Sequence, residues 1–545
     1  MAPVAPTMVT AQTMGLILHT PAAFDGYTLF EGLTYTDTYL IDLEGRLVHS
    51  WHSLYEPGDM AYLLENGHLI RGANPGSNWF QQGGAAGIIE EFDWDGNPVW
   101  SYTYSDSLKR HHHDLAVLPN GNVLMLAWEL KNSVEAIAAG RDPGKIWDGA
   151  IWPEHILEIE PTGANGGAVV WEWYSWDHLI QDFDSTAANF GVVADHPELI
   201  DINYTHNGTG GADWMHANAL NYNEDLDQIA ISVNQFSEFW IIDHGTSTAE
   251  AAGHSGGARG KGGDLLYRWG NPQTYDRGTA ADRKLYRQHD VQWIPNGRPG
   301  SGNILLFNNG FDRPEGAYSS VEEIQTTADG LGDYPDPLPG QPHGPATTVW
   351  TYTSTPPEDL YGPFISGAER LPNGNTLICD GAPSGTFHEV DATDSLAWMY
   401  ISPVGTNGPL VQGTTPTSNL VFRARRYAPT YAAFDGRDLT PGDVIELPAT
   451  TAVPMIVAGP AFELYPSYPN PARFGTTISF SLERAGHVRL DVFDVAGRHV
   501  ATLVDGVKSA GSHRQRWDAF VASGVYHYRL GVDGASETGR VLVLR

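Results

Sequence analysis

The stretch 286-YRQHDVQWIPNG-297 sets a His-Asp pair at the head of an alternating apolar segment that ends in a Pro-Asn-Gly turn. An upstream copy, 110-RHHHDLAVLPNGNVLML-126, runs in the same order and continues into a second apolar segment. Alternation reads as a strand, and Asn-Gly between two such runs reads as a hairpin. Aligning the Asn-Gly turns exposes a repeat at intervals of about 40 to 70 residues. Each unit opens with an alternating strand and closes on a segment like 88-IIEEFDWDGNPVWSY-102. Five copies open at 60-MAYLLENGHLIRG-72, 113-HDLAVLPNGNVLML-126, 216-HANALNYNEDLDQIAISVN-234, 289-HDVQWIPNGRPGSGNILLFNNG-310 and 368-AERLPNGNTLICDG-381. A sixth assembles from the two ends, 39-YLIDLEGRLVHSW-51 with 421-VFRARRYAP-429, closing a ring and hiding both sheet edges. The expected fold class is therefore all-β, with a six-bladed β-propeller over residues 15–440, or seven blades if the insertion at 175–213 contains another. The first strand of each propeller unit lines the axis, so His113, His216 and His289 are expected to converge there.

The chain has 545 residues, 41% of them apolar, and 17 tryptophans, enough for a large core and a second domain. Its 65 acidic against 31 basic residues give a formal charge of -34, and only six of the basic residues are lysine. Such a field repels polyanions, which argues against nucleic acid or anionic lipid as partners. It suits a protein working in salty water, where self-repulsion is screened, and reads as a halophilic or marine signature. Cys379 is the only cysteine, so no intrachain disulfide forms; within 376-TLICDG-381 it reads as a buried, inert thiol. No apolar run is long enough for a membrane-spanning helix. Residues 1–14 form an Ala-, Pro- and Thr-rich tail that reads as the remnant of a secretion signal. Residues 441–461 read as a linker, and 462–545 as short alternating strands of a small C-terminal Ig-like β-sandwich.

The C-terminal motifs YPNPARFGTTISFSL, VRLDVFDVAGRHVATL and SGVYHYRL resemble the sorting domain of proteins exported by the bacterial type IX secretion system. That resemblance implies a secreted or cell-surface protein with the type IX machinery as partner. The repeat region, through HHHDLAVLPNGN, DWMHANAL, GGDLLYRWGNP and QHDVQWIPNG, resembles the bacterial arylsulfotransferase family. The resemblance implies transfer of a sulfuryl group from an aryl sulfate to a phenol through a sulfohistidine, without a cofactor. It makes His289 the nucleophile, His216 the histidine serving the phenol oxygens and His113 a sulfuryl-binding residue. Asn234 stands where the family has an arginine that holds the sulfuryl oxygens. In so acidic a chain the missing positive charge must be local, and Arg259 and Arg313, with Arg268 and Arg370, are the candidates.

Other readings keep different residues in view. Clustered axial imidazoles would also suit a metal ion in a lyase or hydrolase acting on acidic marine polysaccharide. A non-catalytic propeller binding a glycan or partner is a third class, with Trp-rich segments such as 171-WEWYSW-176 as sugar platforms. His111 and His112 read as loop residues. Asp114 and Asp290 read as groups that fix the loop or a histidine tautomer. The insertion 175–201 is expected over the channel mouth, with His178 and Asp182 as further candidates there.

Overall fold

The computed structural model describes residues 12–206, 211–449 and most of 462–544; residues 1–11 of the N-terminal tail and 450–461 of the expected linker lie outside the described residues. The chain divides into two compact units at Ala449/Thr450.

Among the described residues, the repeats of the first unit form six antiparallel sheets, five of four strands and one of five. The opening strands are β1 (Glu56–Leu63), β2 (Lys109–Val117), β3 (Ala217–Asn223), β4 (His289–Trp293), β5 (Gly367–Arg370) and β6 (Ala424–Tyr427). Strand β6 joins Tyr27–Glu31, Asp37–Ile41 and Leu47–His52, so one sheet is built from both ends of the unit. From β1 to β6 each opening strand packs beside the next, and Tyr27–Glu31 returns the circuit to β1. The result is a propeller-like ring with no helix longer than Ser133–Ala138 among the described residues. Within the insertion at 175–213 the described residues hold only 3-10 turns and the short parallel pair Leu179–Ile180 with Ile200–Asp201.

The sequence signals act locally as read. Gly121 (φ 86°) and Gly374 (φ 93°) take the left-handed backbone that their Asn-Gly turns require. Each hairpin is then closed by a 2.8 Å bond, from Leu118 N–H to Asn122 O and from Leu371 N–H to Asn375 O. The second strands are buried along their whole length, as in Gln228–Val233 and Ile304–Asn308. Packing between two neighbouring sheets buries both faces, which is why these runs read as continuously apolar.

The His-Asp pair marks a bulge. Register slips occur in β2 opposite Met125/Ala127, in β3 between Ala217 and Ala219, and in β4 between His289 and Gln292. At these places His113 (φ 56°), His216 (φ 53°) and Asp290 (φ 58°) take the left-handed conformation that non-glycine residues rarely adopt. The extra residue sends the imidazole toward the axis and the carboxylate sideways into the neighbouring strand. Asp114 accepts bonds from Leu220 N–H in β3 (2.9 Å), Tyr62 Oη in β1 (2.8 Å) and Arg423 Nη1 (2.7 Å). Asp290 accepts from Ala368 N–H in β5 (2.9 Å) and Arg425 Nη2 (2.7 Å), and Arg423 Nε lies 3.4 Å away. The aspartates therefore couple inner strands rather than set a histidine tautomer. Burial would raise Asp290, but Arg425 and Arg423 outweigh it and hold the carboxyl below its ordinary range.

Residues 441–449, read above as linker, pack on the first unit: Val444 bridges Arg46, Leu447 bridges Val411, and Ile445 is buried beside Phe30 and Tyr39. The second unit holds a three-stranded sheet (Phe462–Leu464, Thr476–Leu482, Gly511–Trp517) and a four-stranded one (His499–Lys508, Gly486–Asp494, Gly524–Val532, Ala535–Val543). Both sheets feed one apolar cluster that includes Ile478, Phe480, Leu490, Val492, Tyr528 and Leu530.

Removing Arg423 leaves the buried Asp114 carboxylate without its cation, while Asp290 keeps Arg425, so Arg423→Met is expected to cost about 3–5 kcal/mol in denaturant unfolding. Arg498→Met, at an exposed pair with Asp494, is expected to cost less than about 1 kcal/mol.

Candidate active site

The three bulged histidines meet in a cavity of about 370 Å³ lined by Leu33, Gly83, Gly84, His113, His216, Asn234, Arg287, His289, Phe311, Pro363, Phe364 and Ile365. The rings of His113 and His216 are 4.6 Å apart, and Phe422 lies 6.0 and 6.3 Å from the rings of His113 and His289. Imidazoles, an amide and one guanidinium make the polar side; Phe311, Pro363, Phe364, Ile365 and Leu33 make an apolar side fit for an aryl ring.

Partner chemistry assigns the protons. Asn309 donates its Nδ2 hydrogens to the carbonyls of Gly362 (2.6 Å) and Ile365 (2.8 Å), so its Oδ1 is the acceptor, and the Nδ1–H of His289 donates to it at 2.7 Å. The remaining nitrogen of His289, Nε2, carries a lone pair. His216 Nδ1 donates to Asp213 at 2.5 Å, which orients that ring. His113 shares a 2.8 Å Nδ1 contact with His112, whose Nε2 is 2.9 Å from Glu154. Burial pushes the Glu154 carboxyl well above its ordinary range. With its proton retained, Glu154 would donate to His112 and His112 to His113, leaving the Nε2–H of His113 as a donor. That edge of the ring lies under Gly84, where an added Cβ would stand 2.1 Å from Nε2. His111 and His112 thus belong to β2 and are buried; His111 Nδ1 bonds the Leu126 carbonyl at 2.9 Å.

Of the expected cations, neither Arg259 nor Arg313 lines the cavity. Arg259 reaches Asp333 and the Leu226 carbonyl, while Arg313 lies over Tyr286 and Tyr318 and donates to Ser320. Arg268 is buried against Glu238, and Arg370 against Glu323. The cation comes from the opening stretch itself. Arg287, two residues before His289, is the only Arg or Lys among the described lining residues, and its φ of 64° turns it toward the neighbouring sheet. Its Nη1 donates to Asn234 Oδ1 at 3.0 Å, while Asn234 Nδ2 donates back to the Arg287 carbonyl at 3.0 Å. Asn234 therefore braces Arg287. Its Nε is buried without a partner, a donor left over for an anion. Burial lowers Arg287 to about 10, which leaves it charged at neutral pH.

The insertion contributes its last part. His178 bonds Asp264 and the Ala251 carbonyl instead of lining the cavity, and Asp182 is exposed. Among the described residues of this region, Asp213, just before β3, hydrogen-bonds a site histidine.

Burial, with His216 and Arg423 nearby, lowers His289 to about 3, although its bond to Asn309 acts in the opposite direction. The unfolded chain binds that proton below about 6.5, so folding stability is full above this pH. It falls by roughly 1.4 kcal/mol per unit for this one group as pH drops toward 3. In a histidine-labelled NMR titration His289 is expected to stay neutral from about pH 5 to 8; titration inside that range would contradict the site geometry.

A family model described as Arylsulfotransferase (ASST) matches residues 28–398. No curated protein matches the chain. Among solved structures it is similar to a protein of unknown function from Bacteroides caccae, with 11% identity over 74% of this chain and 98% of that one and a TM-score of 0.39. Hydrazine synthase from Kuenenia stuttgartiensis matches at 14% identity over 53% of this chain and 66% of that one, with a TM-score of 0.30. A luciferin-regenerating enzyme matches at 11% identity over 71% and 95%, also at 0.30. With most of its length matched by the family model, and with every histidine of the cavity inside the matched span, the chain belongs to the arylsulfotransferase family.

Proposed function

We propose that the first unit is a six-bladed propeller that transfers a sulfuryl group from an aryl sulfate to a phenolic acceptor, with His289 as nucleophile. The contact that carries this reading is His289 Nδ1–H to Asn309, which leaves the Nε2 lone pair available in a cavity shared with Arg287 and an apolar wall. In the first half-reaction Nε2 attacks sulfur. The S–O bond to the aryl group breaks, its electron pair passes to the phenolate oxygen, and that oxygen takes a proton from the His216 imidazolium. In the second, the acceptor oxygen attacks sulfur, the N–S pair returns to Nε2, and His216 takes the acceptor proton. His113, through Nε2–H, and Arg287 hold the sulfuryl oxygens, where charge spreads as the bonds change. Arg287 thereby supplies, from the adjacent sheet, the charge that the family resemblance assigns to the position of Asn234. The family match favours neither the metal-dependent polysaccharide enzyme nor the glycan-binding protein.

The second unit is proposed to be an Ig-like sorting domain that sends the chain through the type IX machinery to the surface or medium. Its quoted motifs support this, and no helix among the described residues is long and apolar enough to cross a membrane.

Transfer from 4-nitrophenyl sulfate to phenol tests the chemistry. Arg287→Gln is expected to lower kcat by about 100- to 1000-fold, and Asn234→Arg added to it to recover much of the loss. An unchanged kcat in Arg287→Gln would remove this residue from the mechanism. In a host with type IX secretion, deletion of 450–545 is expected to retain the protein inside the outer membrane; equal export of both forms would overturn the sorting assignment.

A further inference from the structure

A second cluster of ligating side chains lies outside the axial cavity. His178, His254 and Asp264 each offer one ligand atom, and these atoms all lie within 4.8 Å of one another. His178 ends the 3-10 turn Ser175–His178 at the start of the insertion; His254 and Asp264 stand on the glycine-rich loop that follows Glu238–Asp243.

The hydrogen bonds around His178 do not balance with neutral rings and an ionised Asp264. Its Nε2 is 2.9 Å from the Ala251 carbonyl, which only accepts, so Nε2 carries the hydrogen. Nδ1 of a neutral ring is then a lone pair, yet it faces Oδ1 of Asp264 at 2.8 Å, and His254 Nδ1 reaches the same oxygen at 2.7 Å. A lone pair and a carboxylate oxygen at that distance need a positive charge between them. A proton supplies it either by leaving an imidazolium on a ring that is fully buried or by neutralising the Asp264 carboxylate. A divalent cation supplies it with both rings neutral.

The surroundings are those of a ligand sphere. A backbone carbonyl on the far nitrogen is the usual outer-shell partner of a metal-bound histidine. Trp173 stacks on the His178 ring at 5.6 Å, and its Nε1 donates to the Gly263 carbonyl. Gly263 itself must be glycine, since a Cβ there would stand 2.0 Å from the Ala251 oxygen and 2.6 Å from His178 Nε2. Two imidazoles and one carboxylate select a borderline transition ion of the zinc type over calcium or magnesium, which prefer all-oxygen sites. Metal–nitrogen bonds of about 2.0 Å require the side chains to open by roughly half an ångström. His254, 60% exposed, has the freedom to do so.

We infer that His178, His254 and Asp264 form a binding site for one zinc-type divalent ion, with a fourth position open to solvent. His254 also lines a cavity of about 510 Å³ with Trp176, Asp177 and His196, so a water or a ligand donor atom has access. The ion would tie the insertion to a loop 86 residues away in sequence, stabilising the folded form at both.

The test uses the full chain, stripped with chelator and titrated with Co2+ followed by Zn2+. The expected result is one Co2+ per chain with visible d–d absorption that Zn2+ abolishes, and a Zn2+-dependent rise in Tm. His254→Ala, at an exposed position expected to leave folding intact, loses the absorption and the rise, whereas His289→Ala keeps both. Absence of Co2+ uptake by the wild type, equal uptake by His254→Ala, or loss of uptake in His289→Ala would each overturn the assignment. Transfer activity is not the readout, so this result stands apart from the sulfuryl-transfer reading.

Discussion

The ring is registered by a buried charge lattice at its centre. Arg425 on β6 and Arg423 just before it hold Asp114 of β2 and Asp290 of β4, and Tyr62 of β1, Leu220 of β3 and Ala368 of β5 donate to the same two carboxylates. Each opening strand thus contributes to a single network, and the segment that completes the ring, β6 with the residue before it, brings both cations. Buried ion pairs add little net stability, but a wrong register would leave the charges unpaired in an apolar interior. That penalty makes the lattice a device for specificity. It also fixes where each bulge falls, and so where each histidine emerges.

The site depends on this in a direct way. A strand sends alternate side chains to opposite faces, so a regular β4 could not turn His289 into the cavity and tie Asp290 into β5 from the geometry observed. The bulge does both, and the left-handed backbone at His113, His216 and Asp290 records its cost. The electrostatics are as local as the geometry. A chain of net charge -34 repels sulfate esters at long range. Within the cavity the described residues carry no carboxylate and one guanidinium. Burial favours the neutral form of His289 and His113, the state that the proposed reaction requires of an attacking and a donating ring.

Much of this was legible in the sequence. Asn-Gly turns, continuous apolar second strands and the repeated His-Asp pair gave the sheets and the convergence of three histidines, because these signals are local. What was missed is non-local. Arg287 sat inside the opening motif, but whether it joins the site depends on a positive φ and on Asn234 in the next sheet. Arg259 and Arg313 looked equally eligible, and only tertiary packing commits them elsewhere. Asn309 fixes the tautomer of His289 from the end of the neighbouring strand, a role that Asp290 seemed to fill. The alternating arginines of 421-VFRARRYAP-429, set in an otherwise apolar strand, were the visible trace of the central lattice. Residues 443–447 read as linker because Pro, Thr and Gly surround them, and the single buried Ile445 was too short a signal to reverse that.

The central claim is that His289 Nε2 carries the sulfuryl group between donor and acceptor. It is tested most directly by mixing enzyme with 4-nitrophenyl sulfate without acceptor, quenching, and mapping the peptide that bears the added sulfuryl group by mass spectrometry. The account predicts a single modified peptide containing His289, discharged on addition of phenol and absent from His289→Ala. Modification at another residue, or turnover by His289→Ala at the wild-type rate, would contradict it.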